Sequence, residues 1–182
     1  MTGGPPAVAL RPAEPSDFAA IQAIYRHHVL HGLASFEEEP PDEAELLRRH
    51  AEVHARDLPY LVAHDADRLV GYAYAAPFRP RAAYRFTVED SIYLAPDALG
   101  RGIGRLLLSA LIERCTARGM RRMIAVIGDS GNLASIGVHR ALGFSPPAVL
   151  EGVGFKLGRW VDVVMMQRAL GPGTASLPPP GA

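Results

Sequence analysis

The stretch Val88–Leu111, VEDSIYLAPDALGRGIGRLLLSAL, decides how the rest of the chain reads. It opens as an apolar strand, passes through Pro96 into a glycine-rich turn, and continues as an amphipathic helix from Arg101. Gly100, Gly102 and Gly104 let the backbone come close to a ligand, and the first N–H groups of the helix have no partner within it. Such a turn has the form of a pyrophosphate site. A nicotinamide fingerprint belongs in a first βαβ unit with an acidic residue about twenty positions on. Here the turn lies mid-chain and the following strand ends IAVIGDS without that acid. No Gly-Lys-Ser or Gly-Lys-Thr follows, which excludes a P-loop. A purely structural glycine turn stays as the alternative.

Working outward, Tyr84–Leu94 alternates: Phe86, Val88, Ile92 and Leu94 share one side of a strand and Thr87, Glu89, Ser91 and Tyr93 the other. The helix is expected over Arg101–Arg118, burying Ile103, Leu106, Leu107, Ala110 and Leu111 and ending at Gly119. Met123–Ile127 is a short apolar strand, and strand, helix and strand in this order predict a parallel crossover. Asn132–Leu142 forms a further helix whose stripe of Leu133, Ile136, His139 and Leu142 turns His139 toward the core or a cleft beside it. Phe155 and Trp160–Met166 read as a closing hairpin turning near Gly158.

Toward the N-terminus, Leu58–Ala63 and Leu69–Ala75 make another hairpin around Asp65, Ala66 and Asp67. Before it, Asp42 with Glu45 reads as a capping box opening a helix that runs to about Arg56. Phe18, Ile21, Ile24, Tyr25 and Val29 set a first helix over Ser16–His31, preceded by an edge strand at Val8–Leu10. His27, His28 and His31 at its end are read as favoured by the helix dipole rather than as a zinc cluster, because no Cys, Asp or Glu joins them at compact spacing. Met1–Pro6 is a loose end, and GPGTASLPPPGA from Gly171 is expected to be a disordered tail, 171–182, beside a single domain over 7–170.

Composition limits the function classes. The 182 residues suit one domain, and 19 basic against 19 acidic side chains leave no basic excess for nucleic acid. No stretch is long and apolar enough to span a membrane, and MTGGPPAVALRP lacks a basic region followed by an apolar core, so a cytoplasmic location is expected. The one cysteine, Cys115, excludes an internal disulfide and reads as a buried thiol rather than a nucleophile.

Leu99-Gly100-Arg101-Gly102-Ile103-Gly104 resembles the acyl-CoA loop of the GNAT superfamily of N-acetyltransferases, with Leu99 in place of the usual polar first residue. The chain is more closely similar to the phosphinothricin and methionine sulfoximine acetyltransferase group, through SFEEEP (Ser35–Pro40), YRFTVEDSIYL (Tyr84–Leu94), SGNLAS (Ser130–Ser135), HRALGF (His139–Phe144) and GFKLGRWVDV (Gly154–Val163). The resemblance implies an α/β fold, with a GNAT-like central mixed, strongly twisted β-sheet flanked by helices. It implies acetyl-CoA as cosubstrate, no metal, a homodimer, and acetyl transfer to the α-amine of a small amino acid analogue.

It also assigns residues. Glu89 is implied as the base, since a carboxylate can take an amine proton directly or through water; a solvated strand glutamate is the alternative. His139 is implied as a donor to the departing thiolate or an assistant in proton transfer, with a packed, satisfied histidine as the alternative. Ile92 and Leu94 are implied to present backbone groups to the pantetheine arm. Gly100, Arg101, Gly102, Ile103, Gly104 and Arg105 would wrap the pyrophosphate, and Asn132 would add a side-chain contact. Arg79, Arg81 and Tyr84 would hold the acceptor, because arginine grips a carboxylate or phosphinate through paired hydrogen bonds; a solvated basic loop is the other reading. Phe36 would close one wall, and Lys156 is either an anionic contact or a surface residue. Another amine acceptor, such as a protein N-terminus or an aminoglycoside, and a non-catalytic acyl-CoA sensor stay open.

Overall fold

The helix after the glycine turn and the two strands that it joins form the centre of the fold. In the computed structural model of the protein, which describes residues 8–178, β4 (Thr87–Leu94) and β5 (Arg122–Gly128) are connected by α3 (Ile103–Ala117). The two strands run parallel, with Thr87 opposite Arg122 and Asp90 opposite Ala125, as a strand-helix-strand crossover requires. On the N-terminal side lie β1 (Ala9–Pro12), α1 (Phe18–His31), α2 (Glu43–His54), β2 (Tyr60–Asp65) and β3 (Arg68–Pro77). On the C-terminal side lie α4 (Leu133–Ala141), β6 (Ala148–Lys156) and β7 (Arg159–Ala169). The strands form a mixed sheet in the order β1-β2-β3-β4-β5-β7-β6, in which β4–β5 is the parallel pair and the other neighbours are antiparallel. The expected strand at Tyr84 starts later, at Thr87, because Ala82–Tyr84 is a 3-10 turn.

Alternation along the strands sorts the helices between the two faces. A side chain at Gly71 would meet Leu94 and Leu107, so α3 lies on the Gly71 and Leu94 face. Tyr72 stacks on Tyr93, which meets Tyr25 of α1 edge-on, so α1 covers the opposite face. Glu89 shares the parity of Tyr93, and Asp90 that of Leu94. Neighbouring residues therefore enter different layers.

Helix ends follow local chemistry. Asp42 caps α2 by accepting from the Glu45 N–H at 2.8 Å, but the Glu45 carboxylate turns to Arg48 and Arg49, so only half of the capping box forms. Before α1, Arg11 grips both oxygens of Asp17 at 2.7 Å, and one of those oxygens also takes the Glu14 N–H. The buried stripe of α3 is Ile103, Leu107, Leu108, Leu111, Ile112 and Cys115. Leu106, expected in it, is exposed, because at about 100° per residue it points to the side of the helix away from the middle of that stripe. Ala110 is only partly buried. Leu133 of the expected α4 stripe is also exposed, since it starts the helix and projects beyond the first turn, whereas Ile136 and His139 are buried. Burial raises the Cys115 thiol to about 12.

The closing hairpin turns at Leu157 and Gly158, both with positive φ. β6 begins earlier than its sequence implies and carries a bulge between Leu150 and Gly154. Asp162 on β7 holds that bulge, accepting from the Gly152 N–H at 2.9 Å and from Ser130 Oγ at 2.5 Å. Residues 171–178 run as turns, with the Arg121 guanidinium donating to Gly173, Ser176 and Leu177. The expected loose end at Met1–Pro6 and the last residues of the expected tail, 179–182, lie outside the described residues. No helix of the described residues is long and apolar enough to cross a membrane.

Candidate active site

The parallel pairing of β4 and β5 stops after Asp90 and Ala125, although each strand continues. Ser91–Leu94 remains paired with β3 on one side, and Val126–Gly128 with β7 on the other. Between them the sheet opens, leaving backbone N–H and C=O groups that no neighbouring strand satisfies. The opening belongs to a cavity of about 390 Å³ lined by Ser91–Leu94, Ala125–Gly128, the glycine turn, Asn132 and His139. An extended arm with amide groups can add itself there as a strand would.

The glycine turn forms the cavity's outer end. Gly100 and Gly102 have φ of 73° and 78°, a conformation that side chains oppose, and a Cβ built on either meets nothing within 4 Å. That open approach, next to the unpartnered N–H groups of the first turn of α3, suits a diphosphate. Gly100, Gly102, Ile103, Gly104 and Arg105 line this end, as do Ile92 and Leu94 further in. The Arg101 side chain is ion-paired with Asp65 at 2.6 Å, so only its backbone belongs to the turn. Asn132 is held as the cap of α4, its side chain accepting from the Ser135 N–H at 3.2 Å. These features fit acetyl-CoA, with pyrophosphate at the glycines and pantetheine between the strands. Among the described residues no group of three or more His, Cys, Asp or Glu is arranged to hold a metal.

Glu89 projects on the α1 face, where burial raises its carboxyl pKa; the Arg79 charge opposes the rise and Asp90 adds to it. It is thus a better proton acceptor than a solvated glutamate, with no hydrogen bond among the described residues holding its carboxylate. Arg79 stacks over Phe78 at 4.3 Å and donates to the Phe78 carbonyl, and Tyr84 meets the same ring edge-on. Arg79 and Arg81 are exposed and form no ion pair among the described residues, leaving cationic groups just beyond β3, where Phe78 holds Arg79 and Tyr84.

The SFEEEP loop approaches from the other side and is tightly held. Tyr25 Oη lies 2.9 Å from Ser35 Oγ and donates to Glu37 at 3.0 Å, and Arg49 binds Glu37 at 2.6 Å. Phe36 lies on β6 against Gly154, where an added Cβ would come within 2.0 Å of its ring. Lys156 is not the surface residue that one reading made it. It is 2% exposed, and its ammonium donates to the Ser35 carbonyl at 2.6 Å, anchoring the loop from beneath. Burial lowers its pKa, against the raising charges of Glu38 and Glu37.

On the opposite face His139 is buried, with Nδ1 2.7 Å from the Ser135 carbonyl and Nε2 2.9 Å from Asp90 Oδ2. Burial acts to lower its pKa, but the hydrogen bond and charge of Asp90, with the Ser135 carbonyl, outweigh it and the pKa is raised. Asp90 was missed in the sequence. The available signal was an acidic residue on the Val88 and Ile92 side of an otherwise apolar strand face. His28 was also missed: its Nε2 lies 2.8 Å from the Leu94 carbonyl, fixing the end of β4, and it lines the cavity. Burial lowers the His28 pKa despite that carbonyl, which favours a neutral ring donating to it.

Residues 21–144 match the Acetyltransferase (GNAT) family. The chain is 55% identical over 172 residues to the phosphinothricin N-acetyltransferase of Alcaligenes faecalis, covering 94% of this chain and 87% of that protein. It is 44% identical to the L-methionine sulfoximine/L-methionine sulfone acetyltransferase of Pseudomonas aeruginosa, covering 93% of this chain and 98% of the relative. Among solved structures, the phosphinothricin acetyltransferase of Sinorhizobium meliloti in complex with AcCoA superposes with a TM-score of 0.93 at 50% identity, covering 96% and 95% of the two chains. With the split sheet, the glycine turn and these likenesses in agreement, the chain belongs to the GNAT family of acetyltransferases.

Proposed function

We propose that the protein transfers acetyl from acetyl-CoA to the α-amine of a small amino acid or analogue of the phosphinothricin or methionine sulfoximine kind. The observation that carries this reading is the opening between β4 and β5, with the pKa-raised Glu89 beside the exposed Arg79 on one face of β4. The chemistry of the relatives supports the acceptor class. One domain, residues 7–170, carries the reaction.

Acetyl-CoA supplies the acetyl group as a thioester, and this chain's residues do the rest. Arg79 and Arg81 bind the acceptor's carboxylate or phosphinate, with Tyr84 beside them, and Phe36 walls the pocket. Glu89 removes the amine proton, directly or through water, because a protonated amine has no lone pair for attack. Unpaired N–H groups of β4 polarise the acyl carbonyl as negative charge develops. Cys115 takes no part, since its thiol is buried and strongly protonated.

The protein is read as a cytoplasmic homodimer. Support for the dimer comes from the closing hairpin, where Val149, Leu150, Val153 and Phe155 of the edge strand β6 and Trp160 of β7 are exposed. The buried single thiol supports a reducing compartment.

The test is CoA release from acetyl-CoA with a panel of amino acids and their sulfoximine, sulfone and phosphinate analogues, run beside Glu89→Gln. Acetylation of a small analogue, lost in the variant while acetyl-CoA still binds, is the expected result. Transfer only to peptide N-termini or aminoglycosides overturns the acceptor class, and CoA binding without transfer to any amine makes the protein a sensor.

A further inference from the structure

Both ring nitrogens of His139 face acceptors. The Ser135 carbonyl at 2.7 Å can only accept, so Nδ1 carries a hydrogen. A neutral ring would then present a bare lone pair from Nε2 to Asp90 Oδ2 at 2.9 Å, and an ionised carboxylate offers only lone pairs in return. That contact must hold a second proton, on Nε2 or on Oδ2. The two placements are tautomers of one pair with net charge zero. The structure thus fixes a proton count, whichever atom bears the proton.

The surroundings keep this proton from leaving easily. The two side chains are 4% and 2% exposed. α3 contributes Cys115, whose raised pKa keeps it neutral, and the Phe144 ring meets His139 edge-on at 4.9 Å. β5 adds the uncharged wall Ala125–Gly128, while Glu89, the next charge along β4, stands on the far face. Asp90 Oδ1 is buried without a hydrogen bond among the described residues, so the ring is the one polar partner of this carboxyl there. A buried ionisable pair is commonly less stabilising than apolar side chains of the same volume. Position 90, between Val88 and Ile92 on an apolar strand face, is one where such a residue would pack. Stability therefore does not explain the aspartate.

We propose that Asp90 is a positioning residue for His139, fixing its ring at the cavity between β4 and β5 and retaining there the proton that the departing CoA sulfur receives. The proposal rests on the acetyltransferase reading. As the acyl carbon–sulfur bond breaks, its electron pair leaves with sulfur. The pair gives up its shared proton to form S–H, keeping the proton on Nδ1 and acquiring one negative charge. Glu89 takes the first proton from the ammonium, the second leaves nitrogen for solvent as the amide forms, and exchange with solvent restores Glu89 and the pair. Nothing else is consumed.

The proton count is tested on the protein alone by ring ¹⁵N and carboxyl ¹³C NMR of His139 and Asp90. Two protons on the pair at the pH of activity are expected, and one on the ring alone after Asp90→Asn. A wild-type pair with bare Nε2 and ionised Asp90 overturns the proposal. In turnover, Asp90→Asn should lower kcat by about a hundredfold, leave the KM for acetyl-CoA nearly unchanged, and move the alkaline limb of the pH profile to lower pH. In a His139→Asn background the same change should alter kcat less than about twofold, because Asp90 acts through the ring. Equal losses in both backgrounds, or an unmoved pH profile, overturn it. Wild-type protein inactive toward every amine would instead refute the acetyltransferase reading, and the NMR proton count separates the two failures.

Discussion

Glu89 and Asp90 are consecutive residues of β4 that face opposite sides of the sheet, Glu89 toward the Arg79 side and Asp90 onto His139 of α4. Strand alternation alone produces this arrangement. In the proposed reaction it puts a proton acceptor on the acceptor's side of the strand and a proton donor on the other, with the thioester in the gap beside them. The two carboxyls then have separate surroundings and separate consequences when changed.

Replacing Glu89 with Gln should reduce kcat by about 10²- to 10⁴-fold, with acetyl-CoA binding preserved in a calorimetric titration. Stability should move the other way. The folded pKa of Glu89 is raised, so the native state holds its proton more tightly than the unfolded chain and loses stability as pH rises through that value. Melting curves should show the Gln variant above wild type at alkaline pH, with the gap closing in acid. An alkaline Tm at or below wild type would contradict the buried-carboxylate description.

Arg79→Ala and Arg81→Ala should each raise the acceptor KM by about ten- to a hundredfold, the loss of a charged hydrogen bond worth about 1.5–3 kcal/mol. The KM for acetyl-CoA should hold. Lysine should restore part of the affinity, since it keeps the charge and loses the two-pronged grip. Steady-state kinetics with acceptors that do and do not carry a second anionic group check this directly.

Gly154→Ala adds a Cβ where the Phe36 ring lies 2.0 Å away, so the ring must leave β6. Phe36 is 40% exposed and can move. The fold should therefore survive with about 1 kcal/mol lost, while acceptor selectivity changes. Measured kcat/KM across the analogue panel reads the effect, and an unchanged ranking would remove Phe36 from the pocket.

Asp17→Asn tests a purely structural pair. Asp17 is buried, and burial alone would raise its pKa, but the Arg11 hydrogen bond, the Glu14 N–H and nearby positive charge lower it overall. A depressed carboxyl stabilises the native state above its unfolded pKa, and the contribution disappears as pH falls through the folded value. Arg11 is 36% exposed, so solvent screens the pair and a loss of about 1 kcal/mol at neutral pH is expected. Denaturation of both proteins should converge in strong acid.

The parallel crossover, the two hairpins and the glycine turn were legible because each rests on short-range rules: alternation, helical spacing and positive φ at Gly102. The misplacement of Leu106 and Leu133 arose from treating apolar residues of a helix as core, when a place off the buried stripe or in the first turn is enough to expose one. Glu89 and His139 are singled out in the sequence only by the surrounding motifs. The buried contacts of Asp90, Lys156 and His28 were not legible, since their partners stand 49, 121 and 66 residues away and only the closed fold joins them.

The parting of β4 from β5 has an evolutionary consequence. If main-chain groups grip the cofactor, most side-chain substitutions in these strands leave the grip intact. An apolar Leu99 at the head of the glycine turn is then no obstacle to it. On the proposed reading, acceptor preference resides instead in side chains on the Arg79–Tyr84 segment, the Ser35–Pro40 loop and β6, outside that skeleton. Such a division lets a lineage explore new amines by point mutation while its acyl donor stays constant.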